Sequence, residues 1–89
     1  MPPDNKWTVQ IEGKARKEFR RLDAQTRARI LDALDTLSLD PMNAAGVKRL
    51  QGREGYRLRV GDYRVIYELD GGALVVLVLR VAHRREAYR

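Results

Sequence analysis

The sequence contains no cysteine and only one histidine, His83. The lack of thiols excludes a disulfide framework, thiolate metal sites and a cysteine nucleophile, and it fits a cytoplasmic protein. A single imidazole also excludes the zinc sites and Cys–His pairs that catalyse many hydrolyses. No glycine-rich phosphate loop of the P-loop type is present. We therefore expect an activity that uses neither a metal nor another cofactor.

Long hydrophobic runs are also absent. None approaches the roughly 20 residues that a helix needs to cross a bilayer. The N-terminal residues MPPDNK lack the apolar stretch of a secretion signal, and we expect no membrane partner. The 89 residues, 44% of them hydrophobic, suffice for one small core. We expect a single domain over residues 1–89, with residues 1–5 as a flexible tail.

Acidic residues are scarce in the second half of the chain. Residues 1–46 contain eight Lys or Arg and seven Asp or Glu, whereas residues 47–89 contain ten and five. Most of the net charge of +6 therefore lies in the second half, where Lys48 is the only lysine. A basic region biased toward arginine indicates binding to nucleic acid or to an acidic protein.

Two helices are predicted in the first half. Residues 14–22 and 24–37 carry apolar side chains at helical spacing. Asp23 lies between them and is a suitable N-cap, because its carboxylate can accept a hydrogen bond from a free N–H of the first turn. The second helix should end before Pro41, since the residue before a proline avoids the α region. Helices joined by so short a connection form an antiparallel pair.

Strands are predicted on either side of this helical pair. Residues 6–12 alternate between polar and apolar side chains, which indicates a first strand. Residues 74–81 are almost wholly apolar, a pattern typical of a strand buried on both faces in the middle of a sheet. Residues 41–55 are predicted to form a loop with buried anchors at Val47 and Leu50.

The clearest pattern is the stretch YRLRVGDYRVIY, residues 56–67. Two alternating runs flank Gly61-Asp62, which predicts a β-hairpin with a two-residue turn. Counting back from that turn pairs Arg59 with Arg64. Side chains alternate along a strand, so Arg57, Arg59 and Arg64 share one face and the apolar side chains share the other.

The order β-α-α-β-β-β predicts an α+β domain in which a two-helix hairpin packs on one face of a four-stranded, mainly antiparallel sheet. The helices should cover the apolar side of the hairpin and leave the arginine side as a shallow exposed floor. The register of the last strand stays open. A turn of two or four residues adds His83 and Arg85 to the arginine side, whereas an odd turn or a bulge adds Arg80 and Arg84 instead.

Three guanidinium groups on adjacent strands repel one another, so a bound anion is the natural explanation for their clustering. Arginine offers a fixed fork of donors that matches a phosphate. Such preorganised cations could also promote RNA cleavage, because charge builds on the phosphate oxygens when a 2′-hydroxyl attacks. The residues available for this chemistry are Arg57, Arg59, Arg64, His83, Arg84, Arg85 and Tyr88.

Several of these residues lie in segments that resemble the RelE/ParE superfamily of bacterial toxins, and its RelE branch most. The segments are LQG at residues 50–52, YRLR at 56–59, GDYRVIY at 61–67 and VAHRREAYR at 81–89. The resemblance implies a toxin of a type II toxin–antitoxin system. It implies ribosome-dependent cleavage of mRNA in the A site, without a metal and with a 2′,3′-cyclic phosphate as product. It also implies two partners, a ribosome carrying mRNA and an acidic antitoxin that blocks the toxin.

The resemblance also implies roles for individual residues. Arg57 and Arg59 occupy positions where the family has basic residues, and Arg64 matches the arginine that contacts phosphate. Arg84 matches the arginine proposed to protonate the leaving 5′-oxygen or to stabilise its charge. Tyr88 matches the tyrosine that stacks on a base.

One departure from the family concerns the general base. The family often has lysine at positions 57 and 59, whereas arginine stays protonated in proteins. Either catalysis rests on charge stabilisation with weak base assistance, or His83 accepts the proton.

Other expectations concern RNA and the alternatives to cleavage. We expect further RNA contacts from the basic side chains Arg53, Arg85, Lys14 and Lys17. Two alternatives to an endoribonuclease stay open. One is a ParE-like inhibitor of DNA gyrase, and the other is a catalytically weak member that only binds an antitoxin.

Overall fold

The computed structural model describes residues 6–83. Its elements are β1 (Thr8–Ile11), α1 (Gly13–Arg20), α2 (Ala24–Leu37), β2 (Val47–Arg49), β3 (Tyr56–Val60), β4 (Tyr63–Asp70) and β5 (Val75–His83). The strands form one sheet in the order β1-β5-β4-β3-β2. Only the β1–β5 pair is parallel among these strands. The predicted α+β class with two helices on a mainly antiparallel sheet is confirmed, but the sheet has five strands instead of four.

The predicted cap of α2 is confirmed. The Asp23 carboxylate accepts hydrogen bonds from the Thr26 hydroxyl at 2.6 Å and from the Thr26 backbone N–H at 3.1 Å. These bonds favour the ionised form, so the hydroxyl first and the N–H second lower the pKa of Asp23. The cap therefore stabilises the fold above the ordinary carboxyl pKa, and this contribution is lost as the pH falls through the lowered value.

The core lies between the helices and one face of the sheet. Ile30, Leu34 and Leu37 of α2 pack in one cluster with the buried side chains of β3, β4 and β5. Tyr67 of β4 is fully buried there, and its hydroxyl donates a 2.6 Å hydrogen bond to the Pro41 carbonyl. The helices cover this face, as the sequence predicted, and the opposite face carries the arginines.

Residues 41–55 contain a strand where a loop was predicted. β2 pairs antiparallel with β3, with Val47 opposite Leu58 and Lys48 opposite Arg57. Val47 and Leu50, which were predicted as buried anchors, are partly buried. Three residues are too few for the alternation of a strand to be recognised, which explains why the sequence did not reveal β2.

The open register of the last strand is settled by a β-bulge. A four-residue turn leads from Asp70 to its partner Val75, and the pairing is regular up to the Tyr67–Val78 pair. The next pair joins Ile66 to Arg80, so one extra residue lies in β5. Beyond this bulge, Arg80 lies on the arginine side and His83 lies opposite Tyr63 on the other side.

The end of β5 is held by α1. β1 pairs with β5 only as far as Val78, which leaves the next backbone groups of β5 without a strand partner on that edge. The Glu18 carboxylate accepts a hydrogen bond from the Val81 N–H at 2.9 Å and another from the Arg80 Nε at 3.0 Å. A side chain of the helix therefore replaces the missing strand. Within residues 6–83, no helix has the length and hydrophobicity to cross a membrane.

Candidate nucleic-acid interface

The turn of the β3–β4 hairpin fixes the register of the arginines. Gly61 has a φ of +58°, which suits the first central position of a type II′ turn. The predicted pairs are confirmed, with Val60 opposite Tyr63 and Arg59 opposite Arg64. Strand alternation therefore brings the arginines of β3 and β4 to one side of the sheet.

We call the side of the sheet opposite the helices the basic face. It extends over four strands, because β2 and β5 each add a cation to the three that the sequence predicted. Alternation along the strands assigns to it Lys48, Arg57, Arg59, Arg64 and Arg80. Arg80 belongs to this face in one of the two registers of the last strand that the sequence left open. Lys48 was not predicted on this face, because β2 was not predicted.

Arg64 is the most buried cation of this face, with 8% of its surface exposed. Its Nη1 donates to the Tyr63 carbonyl at 3.2 Å, but its Nε has no hydrogen-bond partner among residues 6–83. A buried N–H donor without an acceptor destabilises the protein, so a ligand that supplies an acceptor should bind favourably here. An anion bound over β4 would supply that acceptor.

The expected exposed floor is only partly present. Arg59 is exposed and Arg57 is partly buried, but Arg64 and Ile66 are buried. β4 has a strand on each side, so Arg64 lies between Arg59 and Ala82 in the sheet. On the basic face, the cation of β4 is therefore buried, and the exposed cations lie toward β3 and β2.

Arg59 and Arg64 form the centre of the basic face. Directly opposite residues in an antiparallel pair have Cβ atoms about 5 Å apart, so two guanidinium groups extend from almost the same place. Their repulsion is relieved when both bind one phosphate, which offers several acceptor oxygens to the two forks of donors. This pair is suited to hold the oxygens of a phosphodiester.

Arg80 forms an ion pair with a residue of α1. Its Nη2 lies 2.9 Å from the Glu18 carboxylate, and both side chains are partly buried. This ion pair anchors β5 and leaves Arg80 less available to a ligand than Arg59. We therefore regard Arg80 as a support of the basic face.

A family model describing the ParE toxin of type II toxin–antitoxin systems matches residues 9–88. The chain belongs to the RelE/ParE superfamily of toxins. It is 30% identical to Toxin RelG of Mycobacterium tuberculosis over 93% of this chain and 97% of that protein.

Solved structures of RelE/ParE toxins agree with this assignment. The archaeal RelE–RelB complex from Pyrococcus horikoshii matches with a TM-score of 0.78 and 30% identity, over 92% of this chain and 99% of the other. The toxin–antitoxin complex RelBE2 from Mycobacterium tuberculosis matches with a TM-score of 0.76 and 31% identity, over 89% and 99% of the chains. Both relatives were crystallised as toxin–antitoxin complexes.

The toxin's only histidine lies on the other side of the sheet. The His83 ring contacts the Tyr63 ring edge to face, with centroids 5.6 Å apart and planes at 80°. The even-turn register that would have placed His83 beside the arginines is therefore wrong, because the bulge in β5 reverses its side. Among the described residues, the structure does not bring His83 together with Arg59 and Arg64.

The remaining predicted RNA contacts of the toxin are dispersed. Lys14 and Lys17 are exposed on α1, in the helical layer, and Arg53 is exposed in the bend between β2 and β3. The structure does not join these three to the basic face. Arg84, Arg85 and Tyr88 lie outside the described residues. Within residues 6–83, no three His, Asp or Glu side chains converge as a metal site.

Proposed function

We propose that this RelE/ParE toxin is a ribosome-dependent mRNA endoribonuclease. The observation that carries the proposal concerns Arg64, which lies directly opposite Arg59. Its buried Nε has no hydrogen-bond partner among residues 6–83. In the proposed reaction the 2′-oxygen attacks the adjacent phosphorus and the bond to the 5′-oxygen breaks. The products are a 2′,3′-cyclic phosphate and a 5′-hydroxyl.

Arg59 and Arg64 stabilise the negative charge on the nonbridging oxygens in this reaction. The Arg64 guanidinium is buried and held by the Tyr63 carbonyl before the substrate binds, and such preorganised donors make a large contribution to catalysis. Arg57, two residues from Arg59 along β3, adds a third positive charge. Within this proposal Arg84 acts on the leaving 5′-oxygen and Tyr88 stacks on a base, as the family resemblance implies.

Near the Arg59–Arg64 pair, the described part of the basic face offers no protein acceptor for the proton of the 2′-hydroxyl. Its arginines stay protonated in proteins, and His83 lies on the opposite side of the sheet. Glu68 is on the same side of β4 as Arg64 but four residues away, about 13 Å along the strand. We therefore propose that catalysis rests on charge stabilisation and substrate orientation, with the proton passing to water. The reaction takes place in the cytoplasm, on ribosomes that carry mRNA.

The test is a translation reaction followed by primer extension on the message. Wild-type toxin should cut within translated codons. Arg64→Ala and Arg59→Ala should each reduce the rate about 100-fold or more, as expected for loss of a preorganised donor. Arg49→Ala is the matched control, because Arg49 is an exposed arginine whose side chain alternates to the opposite face. Cutting by both basic-face variants at the wild-type rate would refute the proposal.

An antitoxin is the second proposed partner. Relatives with 30% and 31% identity were crystallised with antitoxins, and a strongly basic toxin suits an acidic protein. Co-expression with the product of the adjoining reading frame should give a stable complex that does not cut mRNA.

Inhibition of DNA gyrase is the alternative function, and the match to a family model described as ParE favours it. Inhibition of supercoiling without cleavage of mRNA would support this alternative. A toxin that causes no growth arrest when expressed alone would instead be a catalytically weak member that binds an antitoxin.

A further inference from the structure

We propose that Lys48 and Arg57 form a second phosphate subsite, which binds the phosphate next to the scissile one. This inference rests on the proposed function, because it assigns a path to the RNA that the Arg59–Arg64 pair would cleave. The subsite depends on β2, which places a lysine on the basic face that the sequence pattern did not reveal.

The basic face contains two pairs of directly opposite cations. Arg59 lies opposite Arg64 across β3 and β4, and Lys48 lies opposite Arg57 across β2 and β3. The two pairs are offset by two residues along the strands and by one strand across the sheet. With about 3.3 Å per residue and about 4.8 Å between strands, their centres are about 8 Å apart. Long, flexible Lys and Arg side chains can span such a distance to hold two consecutive phosphates of an extended strand.

Other directions across the basic face are less suited to RNA. Ile66 follows Arg64 on the same side of β4 and is apolar and buried, and the next residue on that side, Glu68, would repel a phosphate. Toward β5, Arg80 is neutralised by Glu18. The path of positive charge therefore runs diagonally from Arg64 to the edge strand β2.

The backbone of Gly46 links the strand of Lys48 to Arg59. Gly46 precedes β2 and has a φ of +85°, which a residue with a side chain rarely adopts. The Arg59 N–H donates to the Gly46 carbonyl at 3.0 Å, and a Cβ on Gly46 would lie 3.2 Å from the Arg59 carbonyl oxygen. The backbone contact between Gly46 and Arg59 therefore fixes the start of β2, and with it the position of Lys48, relative to Arg59.

The first test measures whether Lys48 and one particular phosphate act together. Ribosomes are programmed with synthetic messages in which the linkage on the 5′ or the 3′ side of the cut is an uncharged methylphosphonate. Lys48→Ala should slow cleavage of the normal message about 10-fold, as expected for one charge-assisted hydrogen bond. On one of the two modified messages, Lys48→Ala should not slow cleavage further, because the methylphosphonate has already removed the charged phosphate that Lys48 would contact. Lys48→Arg should retain most of the rate, and Arg49→Ala should behave as wild type on every message.

The second test does not require cleavage. Binding of a short single-stranded RNA to the isolated toxin is measured between 50 and 200 mM salt. The slope of log K against log salt should decrease by about 0.7 in Lys48→Ala, the loss of one phosphate contact with a single strand. It should be unchanged in Arg49→Ala.

The outcomes separate the two proposals. If wild-type toxin cuts no message, the proposed nuclease function fails, and the salt slope alone decides the subsite. If wild-type toxin cuts but Lys48→Ala slows all three messages by the same factor, or slows none, Lys48 does not bind a neighbouring phosphate. An unchanged salt slope in Lys48→Ala would also overturn the subsite. Thermal unfolding of the variants confirms that the compared proteins are folded.

Discussion

At the scale of single residues, Arg64 combines a proposed role in cleavage with an unfavourable position in the sheet. Its guanidinium is buried, directly opposite another arginine, and has one donor without an acceptor among the described residues. We expect Arg64→Met to abolish cleavage while the free energy of unfolding stays the same or rises by up to about 1 kcal/mol, because a like-charge pair is removed. Urea unfolding and primer extension on the same preparation measure both effects. A clear loss of stability would mean that Arg64 supports the fold through a partner.

Tyr67 gives a prediction about alkaline pH. Burial, and secondarily the nearby Tyr56, raise the pKa of Tyr67 above its ordinary value of 10.0. The native state therefore keeps a proton that the unfolded chain loses above about pH 10, so stability falls as the pH rises from there through the raised value. Tyr67→Phe should lower the free energy of unfolding at pH 7 by about 1 kcal/mol, since the Pro41 carbonyl loses its donor. The same variant should also lose stability less steeply between pH 9 and 11 in urea titrations.

The contrast between Arg59 and Arg64 shows what the sequence could predict at this scale. Their pairing followed from alternation and from the glycine at the turn, which are local features. The burial of Arg64 depends on neighbours from two other strands, and those neighbours are known only once the sheet order is known. The sequence therefore predicted the side of the sheet correctly for both arginines, but the exposure of Arg64 incorrectly.

At the scale of elements, the contact between α1 and β5 has a testable energy. Glu18→Ala removes the acceptor of the Val81 N–H and the partner of Arg80, both in partly buried surroundings. We expect the free energy of unfolding to fall by about 2 kcal/mol, within the range for hydrogen bonds to charged groups. Arg80→Ala should cost less in the Glu18→Ala background than in wild type, because the two side chains share one interaction. Additive effects in this double-mutant cycle would show that the ion pair contributes no coupling.

The elements were predicted unevenly for physical reasons. α2 and its cap at Asp23 are encoded by nearby residues, and the predicted range agrees with the structure. β2 has three residues and gains its strand character only by pairing with β3. The Glu18 contact joins residues more than 60 positions apart in sequence. The bulge in β5 depends on the pairing of β5 with β4, so no local pattern encodes either feature.

At the scale of the whole molecule, the net charge of +6 predicts a strong dependence on salt. A basic protein is steered toward a polyanion such as the ribosome, and salt screens charges separated by more than about 10 Å at 0.1 M. We expect the KM for programmed ribosomes to rise steeply between 50 and 200 mM salt, while kcat changes little because the bound phosphate is close to its arginines. Steady-state cleavage at several salt concentrations measures both constants. A fall in kcat at constant KM would indicate that salt acts on the chemical step.

The parallel pairing of β1 with β5 joins the beginning of the chain to its last described strand. During synthesis, β1 must therefore wait for Val75–Val78 to emerge before the sheet can close. A polypeptide of this topology cannot complete its native form while most of it is still being translated. The five-stranded sheet is therefore completed only after nearly all of the described chain has emerged.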